Sequence, residues 1–352
     1  MTSKPTSSRG PDMEVIKSAG RNIPATRIVA FGLLALLLAT LSLWSLTIGT
    51  TAISLSDALS AIISEGTTHQ DLVISTIRLP RVLAAIIVGS TLGVAGALMQ
   101  AVTNNPLASP DLLGISAGAA FAVVISIVLF DAQSPLVFLW FAFGGAAVAG
   151  AIVYVIASAG ASGVTPVKLA LSGAVLSVFL ASICASILIF DMKAIDIIRL
   201  WSVGSLTGKE MASVAAVAPF ALAGVAATLL LAREVTTLSL GADVAQAVGQ
   251  NVLLWRLVAG ALVVLMAGSS VALAGPIGFV GLVVPHMVRL SLGTDYRWIL
   301  PFCALSGALL VVMADGLQRS LTGIDVPVGV TLALVGAPFF IWLARSRAGG
   351  IG

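Results

Sequence analysis

Charged residues are scarce in this chain, at 9% of 352 residues against 59% hydrophobic, and the mean hydropathy is +1.10. A water-soluble domain carries roughly a quarter charged residues, so a globule wetted on every side is excluded. Histidine and cysteine are rarer still, two of each. Cys184 and Cys303 fall inside apolar runs, read as packing residues, and say nothing of redox compartment. With His69 and His286 they assemble no metal site. The short alternating segments of a membrane β-barrel are missing. So is a phosphate loop: in GSLTGKE (204–210) the glycines are one residue too close and Glu210 stands where Ser or Thr is needed. No nucleophile–base set is visible, which sets aside a membrane-embedded enzyme. A self-sufficient proton- or sodium-driven carrier needs acidic or histidine relays at mid-membrane, and these are lacking too. If transport is active, its energy comes from another polypeptide.

What is present is a succession of long apolar runs. They lie at about 28–49, 80–102, 113–131, 136–158, 168–190, 212–232, 253–274, 277–291, 299–317 and 328–345, and a spanning helix needs about 20 such residues. The expectation is an all-α integral membrane protein of ten transmembrane helices, forming one permease domain over 28–347 behind a disordered cytoplasmic tail at 1–27. That tail has no small-residue cleavage site after a short apolar core, so it does not read as a signal peptide. An even number of crossings puts both termini on one side. With both in the cytoplasm, inner segments hold twelve lysines and arginines and outer ones six, which satisfies the positive-inside bias. The basic residues are scattered or at membrane edges, so the net charge of +3 implies no nucleic-acid partner.

Arg78, Arg81 and Arg319 then face outward, against the bias. They are either snorkelling anchors at the headgroups or a landing site for carboxylates, which guanidiniums hold bidentately. Asp315 lies one turn before Arg319 and is expected to pair with it. Gly89, Gly93 and Gly96 in the second run, and Gly114 and Gly118 in the third, are spaced for close helix packing. Pro/Gly-rich breaks at 104–114 and 274–286 follow the second and seventh runs. They suit two halves, segments 2–5 and 7–10, related by an inverted repeat. On the inner side, 233–256 contains LSLGADVAQAVG. This reads as a short amphipathic helix stopped by Gly249, either a plain connector or a helix for a partner's groove.

RLPRVLAAIIVGSTLGVAGALMQAVTNNPLASPDLLGISAGA (78–119) and ALAGPIGFVGLVVPHMVRLSLGTDYRWILPFCALSGALLVVMAD (272–315) resemble the signature blocks of the iron-siderophore and vitamin B12 permease family. These are membrane subunits of type II ABC importers, and the likeness runs from about 30 to 345, strongest to ferric-siderophore permeases. The resemblance implies a bacterial inner-membrane permease subunit working by ATP-driven alternating access. A second permease subunit (the same chain or a paralogue), two cytoplasmic ATPases and an extracytoplasmic binding protein would complete the importer. ATP and magnesium would be bound by the ATPases, with no cofactor in this chain; a ferric siderophore, or haem or cobalamin, would be the cargo. Arg78, Arg81 and Arg319 match arginines that receive glutamates of the binding protein. Gly241, Ala242, Asp243, Ala245, Ala247 and Gly249 match the coupling helices seated in the ATPases. Asn105 and Leu107 match an inner gate, and Thr165 and Val167 a second gate, where Pro166 replaces a small polar residue.

Overall fold

The computed structural model describes residues 23–49, 53–63, 68–159, 165–322 and 325–348, and all regular structure among them is helical. Within a bilayer no water is available to satisfy the backbone, so each apolar run closes its hydrogen bonds on itself as a helix. Helix α1 spans Ile23–Thr47. Two short helices follow, α2 (Leu55–Ile63) and α3 (His69–Val73), the latter started by a Thr68/Asp71 capping box. The chain then passes through a π-helical turn, Ile74–Arg78, into α4 (Leu79–Thr103). Pro80 explains that turn, because its ring would press on the carbonyl four residues back in a regular helix.

A 3₁₀ turn at Pro110–Leu113 leads to α5 (Ile115–Phe130), then α6 (Pro135–Ser158) and α7 (Pro166–Leu188). After α8 (Met192–Trp201) come α9 (Met211–Leu230), α10 (Ala232–Ser239) and α11 (Ala242–Ala247). The last four are α12 (Val252–Ala274), α13 (Val280–Leu292), α14 (Tyr296–Thr322) and α15 (Val328–Ala348). Among the described residues, seven helices are long and apolar enough to cross a membrane; α5, α13 and part of α15 are shorter apolar helices. Together they account for the ten runs. Helix α1 begins five residues before the expected boundary at 28, which puts Arg27 on the helix; residues 1–22 of the expected tail lie outside the described residues.

The packing follows the proposed repeat. Helix α4 packs on α14 and α13, and its counterpart α12 packs on α6 and α5. The pairs α5–α6, α5–α7 and α6–α7 recur as α13–α14, α13–α15 and α14–α15. The correspondence extends to the first and sixth runs: α1 rests on α4 and α14 as α9 rests on α12 and α6. Corresponding helices are five crossings apart, so the halves run in opposite directions through the bilayer. The two central helices α4 and α12 also pack on each other.

Glycine permits the closest of these approaches. A methyl group on Gly89 would stand 2.2 Å from the Gly307 carbonyl oxygen, and one on Gly96 1.9 Å from that of Gly281. Helix α4 is consequently buried along nearly its whole length.

Candidate functional sites on the two faces

At one end of the bundle, α4 and α14 are tied by a knot of charge. Arg81 donates from Nε to both oxygens of Asp315 at 3.1 Å and from Nη2 to Oδ1 at 2.9 Å. Its Nη1 reaches Asp325, between α14 and α15, at 2.7 Å. Arg319 shares Asp315 at 3.1 Å and also donates to the Ile48 carbonyl and the Ser45 hydroxyl at the end of α1. Arg78 donates to the Leu46 carbonyl at 2.7 Å. Thus the three arginines converge on one site, and each is engaged by this chain's own acceptors. Arg78 and Arg81 are 4% and 5% exposed, and Asp315 is 1% exposed. Buried charges of this kind need their partners, since an unpaired one costs several kcal/mol. Asp325 differs: half of its side chain is open to solvent.

The second of the repeat's breaks, at 274–286, is linked through Gly204 and Ser205 to the start of α15. Gly329, at the start of α15, donates to the Gly204 carbonyl at 3.0 Å, and Ser205 donates to the Ala274 carbonyl at 2.8 Å. Gly275, φ +76°, then turns the chain toward α13.

At the opposite end, α4 stops at Asn104 in the left-handed region, φ +48°. Asn105 then accepts a hydrogen bond from the Leu107 amide at 2.9 Å, an Asx turn that leaves Leu107 exposed. Thr165 caps α7 by accepting from the Lys168 amide at 3.3 Å. Pro166 takes the first helical position, where a missing N–H costs nothing. Val167 is 76% exposed.

The inner loop differs from the single helix read across 238–249. Gly241, φ +105°, divides it into α10 and α11. Gly249, φ +85°, ends α11 with its amide on the Gln246 carbonyl and the Gln250 amide on that of Ala245. That is the Schellman pattern for stopping a helix. Only Ala245 of α11 is buried; Asp243, Val244, Ala247 and Val248 all face solvent. Two apolar side chains on a six-residue helix are thus displayed rather than packed.

The comparisons with known proteins agree with this architecture. Residues 16–346 match the FecCD transport family. The chain belongs to that family. The iron(III)-citrate import permease YfmD of Bacillus subtilis is 45% identical over 302 residues, 86% of this chain and 90% of the relative. The ferric enterobactin permease FepD of Escherichia coli K12 is 38% identical over 330 residues, 94% and 98% of the two chains. A solved metal-chelate type ABC transporter in an inward-facing conformation superposes with a TM-score of 0.77 at 26% identity, covering 91% of this chain and 99% of that one.

As a FecCD protein the chain is a transport permease subunit, and ATP hydrolysis belongs to a separate subunit. Two partners at its charged sites escaped sequence reading. Asp325 sits in DVPVG (325–329), where only proline and glycine stand out as local signals. Gln100, deep in α4, is bonded by Arg289 of α13 and itself donates to the Leu282 carbonyl at 3.3 Å. A glutamine in an otherwise apolar run was the available signal for the second.

Proposed function

We propose that this permease carries a ferric chelate of the siderophore class across the bacterial cytoplasmic membrane, as one of two membrane subunits of a binding-protein-dependent ABC importer. The reading rests first on the placement of two partner-type surfaces at opposite ends of one bundle. An arginine–carboxylate site lies outside, and a helix with displayed valines lies inside. The relatives named for iron(III)-citrate and ferric enterobactin import favour iron chelates; a hemin permease of Yersinia pestis, 36% identical, keeps haem as the second candidate. Both termini lie in the cytoplasm in this reading, supported by the excess of basic residues on that side.

Outside, the binding protein presents carboxylates to the arginine site. Buried guanidiniums cannot act as free hooks, so docking proceeds by exchange: an incoming carboxylate takes the place of half-exposed Asp325 on Arg81 Nη1. The Arg81–Asp315–Arg319 core stays closed beneath it. The displaced strand leads directly into α15, so docking is felt at the outer end of a spanning helix.

Inside, the loop from Gly241 to Gly249 seats in the cleft of the ATPase, Val244 and Val248 supplying apolar contact and Asp243 a charge. ATP binding closes the ATPase pair, and α10 and α11 pass that motion to the gates after α4 and before α7. Asn105, Leu107, Thr165 and Val167 line those gates in this scheme. The exposed face of α7 mixes Ala174, Ala181, Ala185, Ser182 and Ser186 with Val175, Val178 and Phe179. Small and hydroxyl-bearing rows suit a neighbouring helix or a wet path, which supports the second permease subunit packing there.

The test is reconstitution in proteoliposomes with the ATPase and binding protein added separately. The proposal requires vanadate-sensitive uptake of the iron chelate that needs both additions. Uptake abolished by an uncoupler and indifferent to vanadate would assign the chain to the secondary carriers instead.

A further inference from the structure

A cleft of about 900 Å³ opens between α1, α13 and α14. Its walls are apolar, with Leu34 from α1, Val284, Met287 and Val288 from α13, and Phe302 and Leu310 from α14. Leu34, Met287, Val288 and Phe302 lie in the halves of their helices nearer Arg27, and Val284 and Leu310 close to the middle. At its mouth stands Arg27, beside Thr26 and Ser291. The Arg27 guanidinium lies 5.9 Å from the centre of the Trp298 ring and gives one N–H to the Leu292 carbonyl at 3.1 Å. Arginine has five such donors, and among the described residues no acceptor takes the others. The adjacent carboxylate, Asp295, is held by Arg297 through two oxygens at 2.8–3.1 Å. Asp295 thus acts on Arg27 only through space, its hydrogen bonds being spent on Arg297.

Between the matching helices of the other half, aromatic rings fill the corresponding space. There Phe220 of α9 interlocks with Trp140 and Phe143 of α6, ring centres 5.8 and 5.3 Å away. On the α1 side a single edge-on pair, Phe31 and Phe302 at 5.5 Å, makes the equivalent contact. The far flank of α1 exposes Leu33, Leu36 and Leu37, so this is a lipid-facing side of the molecule.

We propose that this cleft binds an anionic glycerophospholipid of the cytoplasmic leaflet, its phosphate on Arg27 and an acyl chain along the trough. The site is amphipathic in the same order as the ligand, cation at the membrane surface and hydrocarbon beneath. Its volume is within the range of small-molecule sites, about 300–1,000 Å³. Basic pockets between spanning helices on the cytoplasmic side are suited to acidic headgroups. Such a lipid braces α1, the least buried spanning helix, against α13. The leaflet assignment rests on the cytoplasmic placement of α1's start proposed above; the site itself does not.

The experiment is native mass spectrometry of the purified chain after exchange into nanodiscs of phosphatidylcholine doped with phosphatidylglycerol. The expected result is retention of phosphatidylglycerol over phosphatidylcholine, reduced about fivefold by Arg27→Gln. Leu34→Trp, which fills the trough and keeps the cation, reduces it as well, and so does Arg297→Gln, which releases Asp295 to pair with Arg27. Equal retention of the two lipids, or retention indifferent to Arg27→Gln and Leu34→Trp, overturns the proposal. Retention that rises on removing residues 1–22 also overturns it, because the chain's own start would then be the occupant. Vesicles carrying phosphatidylglycerol in one leaflet separate the two readings. Retention confined to the leaflet opposite the ATPase side overturns the orientation and leaves the site standing.

Discussion

Asp315 is one carboxylate serving two arginines in nearly dry surroundings, and Asp325 is a second, half-wet carboxylate on the outermost donor of the same group. That difference in exposure separates their roles and can be tested. An exposed pair is worth about 0.2–1 kcal/mol. Asp325→Asn should therefore tighten docking of the binding protein by up to about fivefold, in surface-plasmon measurements on nanodisc-held transporter. The gain should vanish in an Arg81→Lys background, where the competed-for donor is altered. Docking weakened by Asp325→Asn would mean that this carboxylate is part of the receptor surface rather than its resident competitor. Gly89 makes a second prediction: an added methyl group would press on the backbone of Gly307. Gly89→Ala should lower stability by about 1–3 kcal/mol, the usual cost of overpacking. Gly32→Ala, with open space around it, should not lower the melting temperature in the same detergent. A third concerns Asp295, which caps α14 by accepting from the Arg297 amide at 3.0 Å. Hydrogen bonds from Arg297 hold its carboxyl below the ordinary range. A depressed value stabilises the fold above the unfolded pKa, about 3.9, and that contribution fades as pH falls through the folded value. The wild-type advantage over Asp295→Asn should shrink in acid below about pH 4; an advantage growing there would contradict the assignment.

At the scale of elements, the long apolar runs were legible because a spanning helix must be both apolar and about 20 residues long. The short helices were not. Helix α8, Met192–Trp201, and α10, Ala232–Ser239, alternate polar and apolar residues over two or three turns. Tertiary packing decides such segments more than their own propensity. The inner loop shows the same limit: its helical character was readable, but the break at Gly241 was not, since glycine is also tolerated inside helices. Gly249 was readable as a stop, and its positive φ gives it a testable role. Gly249→Val forces a side chain into the left-handed region, costing roughly 1–2 kcal/mol, and should fray α11. If that helix couples, ATP hydrolysis persists while uptake per ATP falls several-fold in proteoliposomes. Unaltered coupling would remove the loop from the mechanism.

For the molecule as a whole, the arginine site was half legible. The positions of the apolar runs put three guanidiniums on one side of the bilayer, but did not reveal the carbonyls of Leu46 and Ile48 or the carboxylate of Asp325 that engage them. Those partners come from segments far apart in the chain, and only the fold brings them together. The inverted repeat was likewise suggested by two Pro/Gly breaks, yet its inclusion of α1 and α9 needed the packing pattern. Two oppositely oriented five-helix halves around α4 and α12 suit a bundle that alternates between facing in and facing out. A ligand shifts such an equilibrium only by preferring one state, so direction must come from nucleotide on one side and loaded binding protein on the other. The most direct measurement is iron-chelate uptake into sealed proteoliposomes as the three components are added stepwise. The account predicts no accumulation by the permease alone, and ATP-dependent accumulation once the ATPase and the binding protein are both present. Accumulation against a gradient by the permease alone would contradict it.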